Sequence, residues 1–320
     1  MNNLGFWKKL KKPIFCLAPM ADVTDCAFRQ IITKYGKPDV FWTEFVSADG
    51  LASAGKKKLL IDLKFLKNEH PIIAQIFGSK PENIKNASAL CAKLGFDGVD
   101  INMGCPDRSI EKQNSGASMM KNPKLAEKII KAAKEGASKL PISVKTRIGY
   151  NKNEINTWIP FLLKQDLAVL TVHLRTRKEM SNVPAHWDLM KQIVKFRNKI
   201  NKNTLIIGNG DILNLEDGKK KIKESGCDGV MMGRAIFGNP FLFSPHVRHV
   251  EIKEKLKILI EHTRLFKKLF SKHKNLAIIK KHYKAYVNGF EGAKELRAKL
   301  MEIKNTKEVE NIINDFLNKI

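Results

Sequence analysis

The sequence predicts an α/β fold, a (β/α)8 TIM barrel followed by a small C-terminal helical domain. Three observations carry this expectation. Eight apolar, strand-like runs recur up to residue 235, each bounded by Gly, Pro, Asp or Asn, with helical patterns between them. No Gly-x-Gly-x-x-Gly follows the first run, which weakens a doubly wound dinucleotide fold. Beyond Pro240 no strand-like run remains.

The runs are 14–20, 40–46, 71–78, 98–104, 142–149, 168–175, 205–212 and 229–235. Continuous apolar runs of this length suit parallel strands buried on both faces. Segments 81–94, 123–139 and 215–225 repeat apolar residues at helical spacing. Pro81 and Pro123 stand where the first turn of a helix tolerates proline. Eight alternating units in a chain of this length favour a closed barrel. Residues 246–320 read as successive amphipathic helices, broken near Lys274, at 288–292 and at 305–306. They hold 18 Lys and Arg against 9 Asp and Glu. The expected division is a catalytic barrel over 1–243 and a helical domain over 244–320. Segment 278–286 sets Lys280, Lys281, His282 and Lys284 among Tyr283 and Tyr286. That interleaving can grip a nucleic-acid backbone. A solvated lysine face with tyrosines in the core also explains it, and on local evidence this plainer reading is favoured.

The 320 residues are long enough for a full core, and 43% hydrophobic with 28% charged is an ordinary globular balance. No apolar run reaches the 18 residues of a membrane span. The basic start followed by a short apolar stretch contains Pro19 and runs into Asp22 and Asp25, so it reads as a first strand and not a signal peptide. Five cysteines without metal-ligand spacing point to reduced thiols, a cytoplasmic setting and no metal. The formal net charge of +26 supports a polyanionic partner, although heavy use of Lys, Asn and Ile would also follow from a compositional bias of the gene.

A barrel of this kind carries its active site at the C-terminal ends of its strands. Those ends supply Pro19 and Met20, Glu44, Gln75, Asn102 with Cys105, Lys145 with Arg147, His173 with Arg175, Asn209-Gly210-Asp211, and Gly233-Arg234. Cys105 sits on a turn between Gly104 and Pro106, an arrangement a merely packing cysteine does not need. Glycine turns after the last two strands let backbone N–H groups approach a phosphate, with Arg234 adding a charge-assisted bond. Lys145, inside an apolar run, needs an electron-rich partner; a flavin ring provides one, and Gln75 and His173 could meet its polar edge. A phosphate site, a lysine beside it and a thiol opposite fit an FMN enzyme that uses a thiol acid.

The same residues carry a resemblance over nearly the whole chain. They are 17–25 (LAPMADVTD) with Phe28-Arg29, 75–78 (QIFG), 102–106 (NMGCP) with 115–117 (SGA), 144–147 (VKTR), 173–177 (HLRTR), 208–211 (GNGD) and 232–235 (MGRA). In the tail, 281–286 (KHYKAY) and 292–297 (GAKELR) continue the series. Together they resemble the tRNA-dihydrouridine synthases, most nearly the bacterial B-type branch. The resemblance implies FMN, a reductant of the NADPH or NADH type, uridine in tRNA as substrate, and a helical RNA-binding tail. It implies that Pro19, Met20, Ala21, Gln75, Lys145, His173, Asn209, Gly210, Asp211, Gly233 and Arg234 hold FMN. It also implies that Cys105 donates a proton and that Asn102, Arg175 and Arg177 face the uridine or its phosphate.

The chain departs from the family pattern at four places. Asp22 and Leu174 stand where Gly is usual, Ser181 replaces a common tyrosine, and His186 interrupts an Ala-Asp-Trp cluster. The expected reaction is hydride transfer from reduced FMN to C6 of uracil, with Cys105 protonating C5, by a monomer. The rivals are an FMN barrel acting on a small molecule, which the tail and charge oppose, and a non-catalytic tRNA-binding protein, which the intact Lys145, Cys105 and phosphate set oppose.

Overall fold

In the computed structural model, which describes residues 4–245 and 250–319, eight parallel strands form one curled sheet. Residues 1–3, 246–249 and 320 of the two expected domains lie outside the described residues. The strands are β1 (Ile14–Leu17), β2 (Phe41–Ser47), β3 (Ile72–Phe77), β4 (Gly98–Met103), β5 (Ile142–Arg147), β6 (Val169–His173), β7 (Leu205–Asn209) and β8 (Gly229–Met232). Their order is β1-β8-β7-β6-β5-β4-β3-β2. The ends of this sheet meet through a parallel bridge between Cys16 and Val40, with Leu17 N donating to Val40 O at 3.3 Å and Asp39 N to Phe15 O at 2.9 Å. Each predicted run coincides with one strand, β2 reaching one residue past its run to Ser47; several other runs continue past their strand because the apolar pattern extends into the strand-end loop.

Helices α1 (Cys26–Tyr35), α2 (Pro81–Leu94), α3 (Pro123–Ala137), α4 (Ile155–Leu163), α5 (Met190–Ile200) and α6 (Leu215–Ser225) follow strands on the outside. Proline opens α2 and α3 as expected, and Asn122 caps α3 by accepting from Leu125 N at 3.1 Å. The alternation is incomplete. Two four-residue helical turns, Ala48–Leu51 and Lys56–Leu59, and a 3-10 turn, Lys67–Glu69, stand in place of a full helix between β2 and β3. The tail forms α7 (Ile252–Phe270), α8 (Ala277–Tyr286), α9 (Ala293–Glu302) and α10 (Thr306–Leu317).

Period-two alternation divides the strands between two cores. Ile14, Cys16 and Ala18, with Trp42, Ile73, Ile207 and Met231, form one cluster with Trp7 of the N-terminal 3-10 turn Gly5–Lys9. Leu17, Ile72, Ala74, Ile76, Ile206, Val230 and Met232 join the shell of helices instead. A third cluster holds the tail, and it is not closed on itself. Ala27 and Ile31 of α1 belong to it, while Phe28 and Ile32 belong to the shell. Two i,i+4 pairs on one helix thus serve two cores. Tyr283 and Tyr286 are fully buried in the tail cluster, so the plainer reading of segment 278–286 is the correct one for the tyrosines. His282 is buried too and packs on Phe28 at 4.4 Å between ring centroids.

Arg29 of α1 is wholly buried and fully bonded. Its Nε donates to Glu69 Oε2 at 2.5 Å, Nη1 to Thr24 O and Nη2 to Lys64 O, both at 2.6 Å. It ties the β1–α1 and β2–β3 connections together. Removing one partner leaves an uncompensated charge inside, which costs about 3–5 kcal/mol. Glu69→Ala is therefore expected to lower the unfolding free energy by about that amount. Urea unfolding followed by circular dichroism measures it, and a loss under ~1 kcal/mol would refute the role.

Candidate active site

Register builds the site. Across β3 and β4, Gln75 lies opposite Asp100; across β4 and β5, Asn102 lies opposite Lys145. His173 then lies opposite Arg147 on one side and Asn209 on the other, and Asn209 opposite Met231. These pairings gather polar residues from five neighbouring strands, β3 to β7, towards the C-terminal side of the sheet, from positions far apart in sequence.

On the β4 side the layer holds Cys105. Asn102 Oδ1 accepts from Gly104 N at 3.1 Å and Cys105 N at 2.9 Å. Asn102 Nδ2 donates to Gln75 Oε1 at 2.9 Å, and Gln75 Nε2 donates to Asp100 Oδ2 at 2.6 Å. Ser143 Oγ donates to the other Asp100 oxygen at 2.6 Å. Arg147 Nε donates to Gly104 O at 2.8 Å, and Ala117 N to Cys105 O at 2.9 Å. Gly116, at φ +61°, makes that last approach possible: a Cβ there would stand 2.7 Å from Cys105 O. Cys105 is the one cysteine not fully buried among the described residues. Burial still pushes its thiol above the ordinary range, although Lys145 and Arg147 pull the other way.

On the β5–β8 side a cavity of 690 Å³ opens, lined by Pro19, Met20, Lys145, His173, Arg175, Asn209, Gly210, Asp211, Gly233 and Arg234 with Ala18, Ser181, Ile212, Leu213, Met231 and Ala235. Lys145 Nζ donates to Asn209 Oδ1 at 3.1 Å, and Asn209 Nδ2 to Met231 O at 2.7 Å. Burial lowers Lys145 to about 8, with Arg147 nearby adding to the effect. Arg175 and Arg234 both reach Asp211, the latter at 2.8 Å, so the carboxylate fixes the two guanidiniums. Burial drives His173 well below its ordinary value, and Arg147, Lys145, Arg175 and Arg234 all oppose its charging.

This brings together every residue expected to hold FMN except two. Ala21 does not line the cavity, and Gln75 is buried in the bonds to Asp100 and Asn102. Among residues expected at the uridine, Asn102 is occupied with the Cys105 turn, Arg175 lines the cavity, and Arg177 lies outside the lining in a bidentate pair with Glu111, 5.3 Å from the Tyr150 ring centroid. Sequence reasoning missed Asp100, which no strand-end search could reveal, and the hydrophobic wall of Ile212 and the exposed Leu213. The cavity's chemistry fits a flavin mononucleotide. Its size suits such a ligand, its charged lining is dominated by donors, and a Cβ on Gly233 would meet nothing closer than Ala18 at 3.6 Å, which leaves room for a ligand against the backbone.

The tail reaches this rim. Lys274 Nζ, on the α7–α8 connection, pairs with Glu44 Oε2 at 2.7 Å and Asp62 Oδ1 at 2.8 Å. Glu44 Oε1 in turn accepts from Asp22 N at 2.5 Å, in the loop that carries Pro19 and Met20. Burial pushes Glu44 up to about 7; against its own burial, Lys274 is raised by Glu44 and Asp62.

Comparison with known proteins agrees with this arrangement. A family model described as Dihydrouridine synthase (Dus) matches residues 16–320. The Bacillus subtilis protein named Probable tRNA-dihydrouridine synthase 2 is 43% identical over 316 residues, covering 98% of this chain and 96% of its own. A Staphylococcus aureus (strain N315) protein named Probable tRNA-dihydrouridine synthase is 41% identical over 315 residues, covering 98% and 95%. Among solved structures, an old yellow enzyme homologue from Zymomonas mobilis superposes with a TM-score of 0.51 at 14% identity, over 82% of this chain and 95% of that one. An amine oxidase from Pseudomonas geniculata N1 gives 0.54 at 12%, over 81% and 53%. At such identities the structures show the shared barrel fold, whereas the match of sequence over almost the whole length shows kinship: the chain belongs to the dihydrouridine synthase family.

Proposed function

We propose that the protein reduces uridine in tRNA to 5,6-dihydrouridine with FMN as its resident flavin, NADPH or NADH as reductant, and Cys105 as proton donor. The observation that carries this reading is the pairing of Asn102 with Lys145 across β4 and β5. Asn102 holds the turn of the thiol, and Lys145 lines the cavity. The residues that would hold FMN are Pro19, Met20, Lys145, His173, Asn209, Gly210, Asp211, Gly233 and Arg234. When bound and reduced, the flavin would supply the hydride for C6 of the uracil ring.

The chain's own residues do the rest. Uracil C5=C6 is polarised by the C4 carbonyl, so attack at C6 builds enolate charge that a nearby acid must quench. Cys105 meets that need because burial keeps its proton in place at neutral pH. The thiolate left behind faces Lys145 and Arg147, whose charges ease its formation. A base in folded RNA must be extruded to arrive there. Residues 244–320 form the proposed RNA-binding domain. Lys267, Lys268 and Lys307 surround a groove between α7 and α10 suited to backbone phosphates. The reading carries with it a cytoplasmic setting, where free thiols stay reduced, and action as a monomer.

Cys105→Ala is expected to bind FMN and be reduced by NADPH as the parent does, while dihydrouridine formation on tRNA falls by about 10²–10⁴-fold. Single-turnover assays with reduced enzyme check this, and undiminished turnover would remove the acid role. The raised thiol also predicts the chemistry of labelling. At pH 7 a smaller thiolate fraction is present than for an unperturbed cysteine, so iodoacetamide should modify Cys105 slowly, and faster as pH climbs past the ordinary thiol range. Peptide mapping by mass spectrometry should find the adduct on Cys105 and not on the four buried cysteines. Rapid labelling at pH 7 would contradict the protonated thiol.

A further inference from the structure

His173 has two ring nitrogens, and its neighbours are not equivalent. Arg175 Nη1 stands 3.1 Å from His173 Nε2. A guanidinium has donors and no acceptor, and it stays protonated in proteins. Nε2 must therefore accept, and the ring must carry its proton on Nδ1. The ring lines the cavity, and its Cδ2 and Nε2 edge is the one turned to Gly210: a Cβ on that glycine would lie 3.1 and 3.4 Å from those atoms. Among the described residues Nδ1 bonds no protein group. Arg175 has no freedom to do otherwise. It is 2% exposed, its Nε donates to Val183 O at 2.6 Å, and its Nη2 pairs with Asp211. Asp211 is held in turn by Arg234 at 2.8 Å and by Ala185 N at 2.9 Å.

We propose that Arg175 is a positioning residue that fixes His173 in its Nδ1–H form, so that the imidazole offers the flavin a single hydrogen-bond donor. This rests on the cavity being the flavin site. It gives Arg175 a role through His173 in place of the expected contact with uridine. Asp211 acts one step further back, as the anchor that holds Arg175 against the ring. The cavity then presents Lys145 Nζ, His173 Nδ1–H and Arg234 as donors, a set that selects acceptor oxygens on a phosphate or on a ring carbonyl. A histidine of the other form would present an acceptor and repel the same oxygens.

The test reads the tautomer directly. Side-chain ¹⁵N spectra of the full-length, flavin-free protein are recorded at pH 7, with His173→Gln assigning the signals. The expected result is a neutral ring with Nδ1 protonated and Nε2 bare. In Arg175→Met the ring should move towards the Nε2–H form that an unconstrained histidine prefers. Arg175→Lys, which keeps a donor, should hold the Nδ1–H form. FMN affinity, followed by quenching of flavin fluorescence, should fall about tenfold in Arg175→Met and less in Arg175→Lys. Repeating the titration with riboflavin distinguishes the acceptors: an equal loss places the bond on the ring, and a loss confined to FMN places it on the phosphate. A wild-type ring protonated on Nε2 would overturn the proposal whether or not the variants fold, as would an unchanged tautomer in Arg175→Met. A wild-type protein with the Nδ1–H form that binds neither flavin would instead remove the flavin reading and leave the tautomer assignment standing.

Discussion

A line of hydrogen bonds that can run in only one direction governs the β3–β4 side of the candidate site. Asp100 is wholly buried, and its carboxylate accepts from Ser143 and from Gln75. Burial pushes it up to about 6, which leaves it mostly ionised at neutral pH. An ionised carboxylate cannot donate, so Gln75 must turn its amide nitrogen towards Asp100. That leaves the Gln75 oxygen for Asn102, and the Asn102 oxygen for the N–H groups of Gly104 and Cys105. One buried charge thus orients two amides and the turn that bears the thiol. The cost of burying a carboxylate is met by its two bonds and by nearby Lys145.

The same logic of acceptors fixing donors recurs across the cavity. Asp211 holds Arg175 and Arg234, and Arg175 holds the imidazole of His173. Between the two carboxylates stand Lys145 and Arg147, one facing the cavity and one gripping the Gly104 carbonyl. Parallel register makes this possible. Because neighbouring strands align Asn102 with Lys145, and, two residues further on, Arg147 with His173 and Asn209, side chains from four strands are brought together on successive levels without any loop having to deliver them. Placement on rigid strands suits chemistry that needs a thiol and a ring held at fixed separation.

This explains which parts were legible in the sequence. The eight runs and the helix limits at 81–94 and 215–225 could be read because apolar period and proline position are local signals. Most of the cavity lining could be read because strand ends are found by counting along each run. Gln75 and Asn102 were found by that same count, yet the structure turns them towards Asp100 and Cys105. Their direction depends on a carboxylate inside β4 that reads, in sequence, as one polar letter in an apolar run. Arg177 likewise pairs with Glu111, from a different loop, which no spacing could announce. The sharing of α1 between two cores was hidden for the same reason: its two i,i+4 faces look like one broad apolar stripe until the tail is placed against it.

The four departures from the family pattern divide by what they touch. Asp22 takes φ 54°, a backbone region that suits glycine and that aspartate tolerates better than most residues. Its carboxylate meets Lys281 of α8 at 2.9 Å, and its N–H meets Glu44, which Lys274 holds. The side chain thus adds one exposed ion pair between the tail and the cavity's first loop, while the bond to Glu44 comes from the backbone. Leu174 is buried in the shell core, and His186 pairs with Glu179 at 3.0 Å, so both are absorbed by neighbours outside the cavity. Ser181 alone lines the cavity. It brings a small hydroxyl to a lining that also holds the exposed Leu213. Three of the four departures thus leave the cavity lining untouched, and the fourth changes it at a single position.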